Sequence, residues 1–509
     1  MAISNAVGLS RISRVVGYKI TKGNFNNVTP NLPQRIAILA EANTANQAGL
    51  STDPVEINTL KQASDLYGFG SPIYQIMRIL RPENGGGVQG VPTIVYPQAE
   101  AAGAVAAERE VTPTGTATGN GTHTLVINGR DNINGGNYDF NIVTGDTPAM
   151  IVAKITDVIN GVLGCPAGAT DNTTHSTLLA KWAGLTSDQL HVSVETNGKP
   201  LGVSYAVVNS GGGTGTPDIN PALALFGNNW NTIVVNSYGE PTMDKLEAFN
   251  GIPDPDSPTG RFDALIVKPF ISLMGETSSL LDDYTDLTAG REAEVTNSIC
   301  PAPNSKGFRM EAAANGAVLL AKQTNDNPHL DTAAKFYPDM PVPSNGVIGD
   351  MAIYNNRDFL VKNGSSTVDF VNNKYQVMEM VTTYRPAGEN PPQFRYCSDI
   401  MIDLNIFFGY HLLEEIHVID HAIAADSDVV SVNNVIKPKQ WKAIIKEYAL
   451  DLANRGLIAE ASFMQESIQV GLSTSNPNRL ESFFRYKRRS FARISSTTVE
   501  AGFNFGTLS

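Results

Sequence analysis

The chain has 509 residues, of which 42% are apolar and 17% charged. Those are globular proportions, which argue against wholesale disorder, and the length calls for two to four domains rather than one core. The net charge of −13 argues against a general coating of nucleic acid.

Both ends are nevertheless basic. No acidic residue precedes Glu41, whereas Arg11, Arg14, Lys19, Lys22 and Arg35 do. After Glu481, the residues Arg485, Lys487, Arg488, Arg489 and Arg493 face a single Glu500. Basic ends on an acidic body suit contact with something negative, and another copy of the same chain is one such object. Within residues 1–25, Ile12, Arg14, Val16, Tyr18 and Ile20 share one face at period two, which predicts an extended strand. No partner strand follows at hairpin distance, so this strand either frays or pairs elsewhere.

Residues 35–40 predict a buried strand, residues 55–81 a helical stretch, and 91–96 another strand. Ser71 with Pro72 predicts a capped restart of the helix after Gly68-Phe69-Gly70. Two triple glycines, at 85–87 and 211–213, flank a stretch rich in Thr, Gly and Asn, roughly 98–218. There His123 to Ile127 alternates before Asn128-Gly129, a hairpin signal, and a helix is expected near 147–161. This segment is expected to be a small β-rich domain inserted into a surface loop, where insertions cost little stability.

Beyond it the pattern alternates: strands at 232–236, 264–267 and 295–300, helices at 243–249 and 310–323. Ala312, Ala313, Ala314 and Ala317 suit the second helix to tight packing. The prediction is a layered α/β domain from 26–97 plus 219–343. Residues 344–490 are expected to form a second, α+β domain, with strands at 359–361, 367–371 and 377–384 and helices at 398–413 and 438–454. In the last helix Trp441, Ile444, Ile445, Tyr448 and Leu452 share one face, and Lys439, Lys442 and Lys446 the other. Such a lysine face is either merely solvated or a cationic stripe for an acidic partner.

Chemical motifs are sparse. Cys165, Cys300 and Cys397 are isolated, so neither a disulfide framework nor a CxxC metal site is expected. His411, Glu414, Glu415, His417 and His421 match neither HExxH nor its inverse. Gly68-Phe69-Gly70 lacks the third glycine of a dinucleotide site, and no Walker or GxSxG element occurs. The acids at 254, 256, 282, 283 and 286 read as solvated loops. No cofactor, no metal and no enzymatic activity are expected. Arg11, Arg14 and Lys19 interrupt any secretory signal, and no apolar run is long enough to insert in a membrane.

The chain resembles the contractile tail sheath proteins of myophages, the Mu-like branch most closely. The resemblance is carried in order by Leu32-Pro33-Gln34-Arg35-Ile36-Ala37-Ile38-Leu39, by Leu66 to Ser71, and by Leu225-Phe226-Gly227-Asn228-Asn229-Trp230. It continues through Arg357-Asp358-Phe359-Leu360 with Gly364, Thr367 and Thr382-Thr383-Tyr384, and ends in the basic stretch up to Phe503 and Phe505. It covers most of the chain outside 98–218.

The resemblance implies an α+β and α/β multidomain fold: a layered sheath core, an inserted β-rich domain and extended terminal arms at 1–25 and 491–509. It implies a structural subunit that polymerises as stacked helical rings around a tail tube and contracts to drive the tube through the host envelope. Partners would be further copies of itself, the tail tube protein, and baseplate and tail terminator proteins. Neither nucleic acid nor membrane insertion is implied. The subunit would be assembled in the host cytoplasm and reside in the virion tail. By the same resemblance Ile12, Arg14, Val16, Tyr18, Ile20, Arg493, Ile494, Phe503 and Phe505 would make inter-subunit arm contacts, and Lys439, Lys442 and Lys446 would face the tube. Another tail or capsid protein, or a carboxylate hydrolase acting on glycans, remain the alternatives.

Overall fold

The computed structural model describes residues 30–389 and 391–503. They divide into two compact units, a larger one containing Asn31–Phe408 and the segment from Arg488, and a smaller one containing Gly409–Lys487.

The larger unit is built on a six-stranded sheet in the order Asn297–Pro301, Ile271–Glu276, Ile233–Asn236, Ile36–Glu41, Thr93–Gln98, Val55–Glu56. The first five strands run parallel, and Val55–Glu56 pairs antiparallel at the edge. Strands buried on both faces read as unbroken apolar runs, as Ile36-Ala37-Ile38-Leu39-Ala40 does. On one face lie the helices Pro72–Leu80 and Arg309–Asp326. Ser71 caps the first, its hydroxyl accepting from the Tyr74 amide, with Pro72 at the first helical position. The second rests on the sheet through alanines 312, 313, 314 and 317, all fully buried. At Gly275 the approach is so close that a Cβ would lie 1.8 Å from the Arg309 carbonyl oxygen.

Residues 98–218 hold two small antiparallel sheets and a short hairpin, Asn132–Ile133 with Gly136–Asn137. One is ordered Ser204–Gly211, Glu108–Thr114, Ser176–Ala180, Ala167–Asp171; the other Val192–Glu195, Gly121–Ile127, Asp139–Ile142. The helix Pro148–Gly161 packs on them through Ile151, Ile155 and Ile159 around a separate apolar core.

Several predicted elements differ: the strand expected at 377–384 is Lys374–Glu379, and Asp282, Asp283 and Asp286 lie in the helix Leu281–Thr288 rather than in a loop. Residues 359–361 are not a strand but belong to the helix Tyr354–Lys362, in which Leu360 points inward and Phe359 is exposed. The strand expected at 264–267 is loop, with Leu265 95% exposed, and the strand itself begins at Ile271. Val55 lies not in a helix but on the edge strand, against Val95.

The boundary expected at 343/344 also moves. Leu360, Val368, Tyr375, Val377, Met380 and Met401 share one core with Ile36 and Ile38, so residues 344–408 are part of the larger unit. The units divide within the helix Cys397–His417. No helix among the described residues is long and apolar enough to cross a membrane.

Candidate assembly surfaces

The smaller unit contains the lysine helix, Pro438–Asn454. Proline at its first position and an apolar stripe every third or fourth residue dictate the element. Trp441, Ile445, Tyr448 and Leu452 are buried, and Ile444 is half-buried. The indole Nε1 of Trp441 donates to Ser482 Oγ at 2.9 Å, which ties the helix to the two-stranded sheet Gln469–Leu472 with Leu480–Phe483. Tyr410 packs, tilted, between Trp441 and Phe484, with centroids 5.8 and 5.1 Å away. At Gly409 a Cβ would stand 2.6 Å from the Tyr448 hydroxyl, so a glycine there lets the two helices approach.

On the outer face Lys439 and Lys446 are exposed and Lys442 half-buried. Among the described residues none of the three enters an ion pair. Glu447 and Leu450 are exposed on the same helix, so the surface is cationic but not purely so. The sheet Gln469–Leu472/Leu480–Phe483 has only two strands among the described residues. A lone hairpin is marginal in water, and its unpaired edges are templates for another strand. His411 pairs with Glu415 at 3.2 Å, and no group of His, Cys, Asp and Glu among the described residues is arranged to hold a metal.

The arm residues fare differently. Ile12, Arg14, Val16, Tyr18 and Ile20, with Phe505, lie outside the described residues. Ile494 and Phe503 are 85% and 90% exposed. Arg493, expected to reach a neighbouring subunit, instead docks within its own unit. Its guanidinium lies 3.1 Å from Asp331, 3.3 Å from Glu379 and 3.8 Å from Asp399, over the Tyr396 ring at 3.6 Å. Arg488 joins Asp403 at 3.2 Å and Asp399 at 3.7 Å. Burial, set against the pull of Arg493, raises the Glu379 pKa to about 7 and lifts Asp399 as well. The arginines were visible in the sequence as a basic run. Their acceptors, at 331, 379, 399 and 403, carried no common signal.

A second buried charge cluster also escaped the sequence. Arg78 pairs with both Glu311 and Asp339, while Arg130 reaches Asp339 at 2.7 Å and Glu311 at 3.3 Å. Burial disfavours the Asp339 carboxylate, but Arg78 and Arg130 outweigh it and hold its pKa below the usual value.

No protein-family model matches the chain. Over 189 residues, 36% of its length, the chain is 25% identical to the Mu-like prophage FluMu tail sheath protein of Haemophilus influenzae, and the match spans 37% of that protein. Among solved structures, the sheath tail protein of Desulfitobacterium hafniense superposes at a TM-score of 0.44 with 12% identity, over 93% of this chain and all of that one. The sheath of an extracellular contractile injection system in its contracted state gives 0.45 with 10% identity, over 96% and 98%. The chain is therefore similar in sequence to a Mu-like tail sheath protein.

Proposed function

We propose that this protein is a structural subunit of a contractile tail sheath, polymerising around a tail tube and contracting to drive it through a host envelope. The observation that carries the reading is the 189-residue match to a Mu-like tail sheath protein. The surfaces agree with it in kind. The smaller unit offers an incomplete two-stranded sheet, to which terminal arms of neighbouring copies add strands. Ile494, Val499 and Phe503 are apolar and exposed, as a donated segment needs to be.

In this reading the tube is met by Lys439, Lys442 and Lys446, and the ends of the array by baseplate and terminator proteins. The work is mechanical rather than catalytic. Arms that stay paired while the bodies repack keep the lattice whole through contraction. Negative-stain microscopy of the purified protein tests the proposal. Hollow cylinders of uniform width are expected, and monodisperse particles with no tendency to polymerise at any concentration or salt would overturn it.

A further inference from the structure

The resemblance implies a C-terminal arm over 491–509, preceded by the basic residues that follow Glu481. In the structure its first part is held. Arg488 and Arg493 enter a notch of the larger unit formed by three separate elements. Asp331 comes from the loop after the helix Arg309–Asp326, Glu379 from the end of the strand Lys374–Glu379, and Tyr396, Asp399 and Asp403 from the start of the helix Cys397–His417 and the residue before it.

The notch has the chemistry of an arginine receptor. Three carboxylates surround the Arg493 guanidinium, each side chain 15 to 20% exposed, and the Tyr396 ring covers one face of it. The Ser398 hydroxyl adds a contact at 3.3 Å. A planar, permanently charged group satisfies such a site in a way that an ammonium cannot. Arg488 takes the remaining charge through Asp403 and Asp399, and donates to the Gln393 carbonyl at 2.9 Å. Beyond Arg493 the described chain changes character: Ile494, Val499 and Phe503 are almost fully exposed.

We propose that this notch is a cis anchor, so that the C-terminal segment is fastened to its own body through Arg493 and the part that reaches another copy begins at Ile494. This rests on, and deepens, the sheath reading. It moves the pivot of the arm from residue 491 to residue 494 and limits what residues 494–503 can span to ~30 Å when extended. A subunit pulled by its arm would then load the notch of its own body, through two arginines, rather than a backbone hinge.

The test is arginine reactivity. The full-length chain, diluted until monomeric, is treated with an arginine-specific dicarbonyl and the modified sites are read by mass spectrometry. Arg493 should react at least about tenfold more slowly than the exposed Arg489, at a ratio independent of protein concentration. Asp331→Asn combined with Glu379→Gln and Asp399→Asn should bring the two rates together. Should that triple variant fail to fold, Tyr396→Leu serves instead and should raise Arg493 reactivity several-fold.

Equal rates in the dilute wild-type chain overturn the anchor, and so does protection that appears only as concentration rises, since that marks a socket filled by another copy. Mixing Arg493→Glu subunits with notch-variant subunits separates the cases again. A cis anchor predicts no rescue of polymerisation, and rescue refutes it. A wild-type chain that never polymerises ends the sheath reading, while the monomer reactivities still decide the anchor.

Discussion

Glu41 stands at the carboxyl end of the central strand with no solvent exposure. One oxygen accepts from the Thr186 hydroxyl at 3.1 Å; the other has no hydrogen-bond partner. Burial outweighs the Thr186 bond and, helped by nearby Glu100, raises its pKa to about 8. The folded protein therefore keeps a proton that the unfolded chain releases above about 4.5. Its contribution to stability is whole below that value, falls as pH rises toward 8 and is then lost, on the order of a few kcal/mol. Glu41→Gln should match the wild type near pH 5 and melt at higher temperature near pH 9. Calorimetry across that range checks it, and parallel curves for the two proteins would remove Glu41 as the cause. Some slope should survive in the variant, because burial also raises Glu247 and Glu379 to about 7. The quartet of Arg78, Arg130, Glu311 and Asp339 predicts a second effect. Arg130→Leu leaves Glu311, whose side chain is 1% exposed, with one arginine for two carboxylates. Loss of a buried partner typically costs about 3–5 kcal/mol, so urea unfolding should show a loss of unfolding free energy of that order. A loss under about 1 kcal/mol would mean that Arg78 alone satisfies both acids.

At the scale of elements, what the sequence disclosed depended on how local the cause was. The helix Pro438–Asn454 was legible because its own residues supply a proline start and a repeating apolar stripe. The Ser71 cap was legible for the same reason: its partner, the Tyr74 amide, is three residues away. The helix Tyr354–Lys362 reads as a strand in sequence because Phe359-Leu360-Val361 is a short apolar run, and such runs fit either period. The quartet was invisible because Arg78 meets Glu311 across 233 positions and Asp339 across 261. The Arg493 notch failed in the opposite sense: the charge was seen, and its partners in the same body were not. The lysine face yields a prediction that the fold does not obstruct. Lys439 and Lys446 are exposed and no ion pair among the described residues holds any of the three, so Lys439→Glu, Lys442→Glu and Lys446→Glu together should leave the melting temperature nearly unchanged. If the proposed sheath function holds, co-sedimentation with tail tubes should weaken at least about tenfold in this variant, and wild-type attachment should itself fall with added salt. Attachment of the triple variant at wild-type strength would assign the tube contact elsewhere.

At the scale of the molecule, residues 98–218 decide how the larger unit holds together. Read as a surface insertion, the segment ought to be dispensable, and its own apolar core agrees with that. The ties to the rest say otherwise. Trp182 is fully buried in the core of the parallel sheet rather than in the core of its own segment, with its ring 5.4 Å from Phe308. Its indole donates to Thr186 at 2.9 Å, and Thr186 donates to Glu41 on the central strand. Arg130 enters the buried quartet, the Asn134 amide donates to the Tyr74 hydroxyl at 2.7 Å, and Gln189 accepts from the Arg309 amide at 2.7 Å. Excision thus uncovers Phe308, removes the only described hydrogen-bond partner of buried Glu41 Oε2 and strips the quartet of one cation. Losing a buried tryptophan alone costs about 3–5 kcal/mol, comparable with the whole stability of a marginal domain. Replacing 98–218 with a short linker should therefore give aggregated or unfolded protein, and Trp182→Ala should lower the urea midpoint with the segment in place. A soluble deletion variant that melts with the wild type would show that these contacts are incidental. If both losses are seen, the segment moves with the body during any rearrangement of subunits, because separating them would first expose two arginines, two carboxylates and a tryptophan to water.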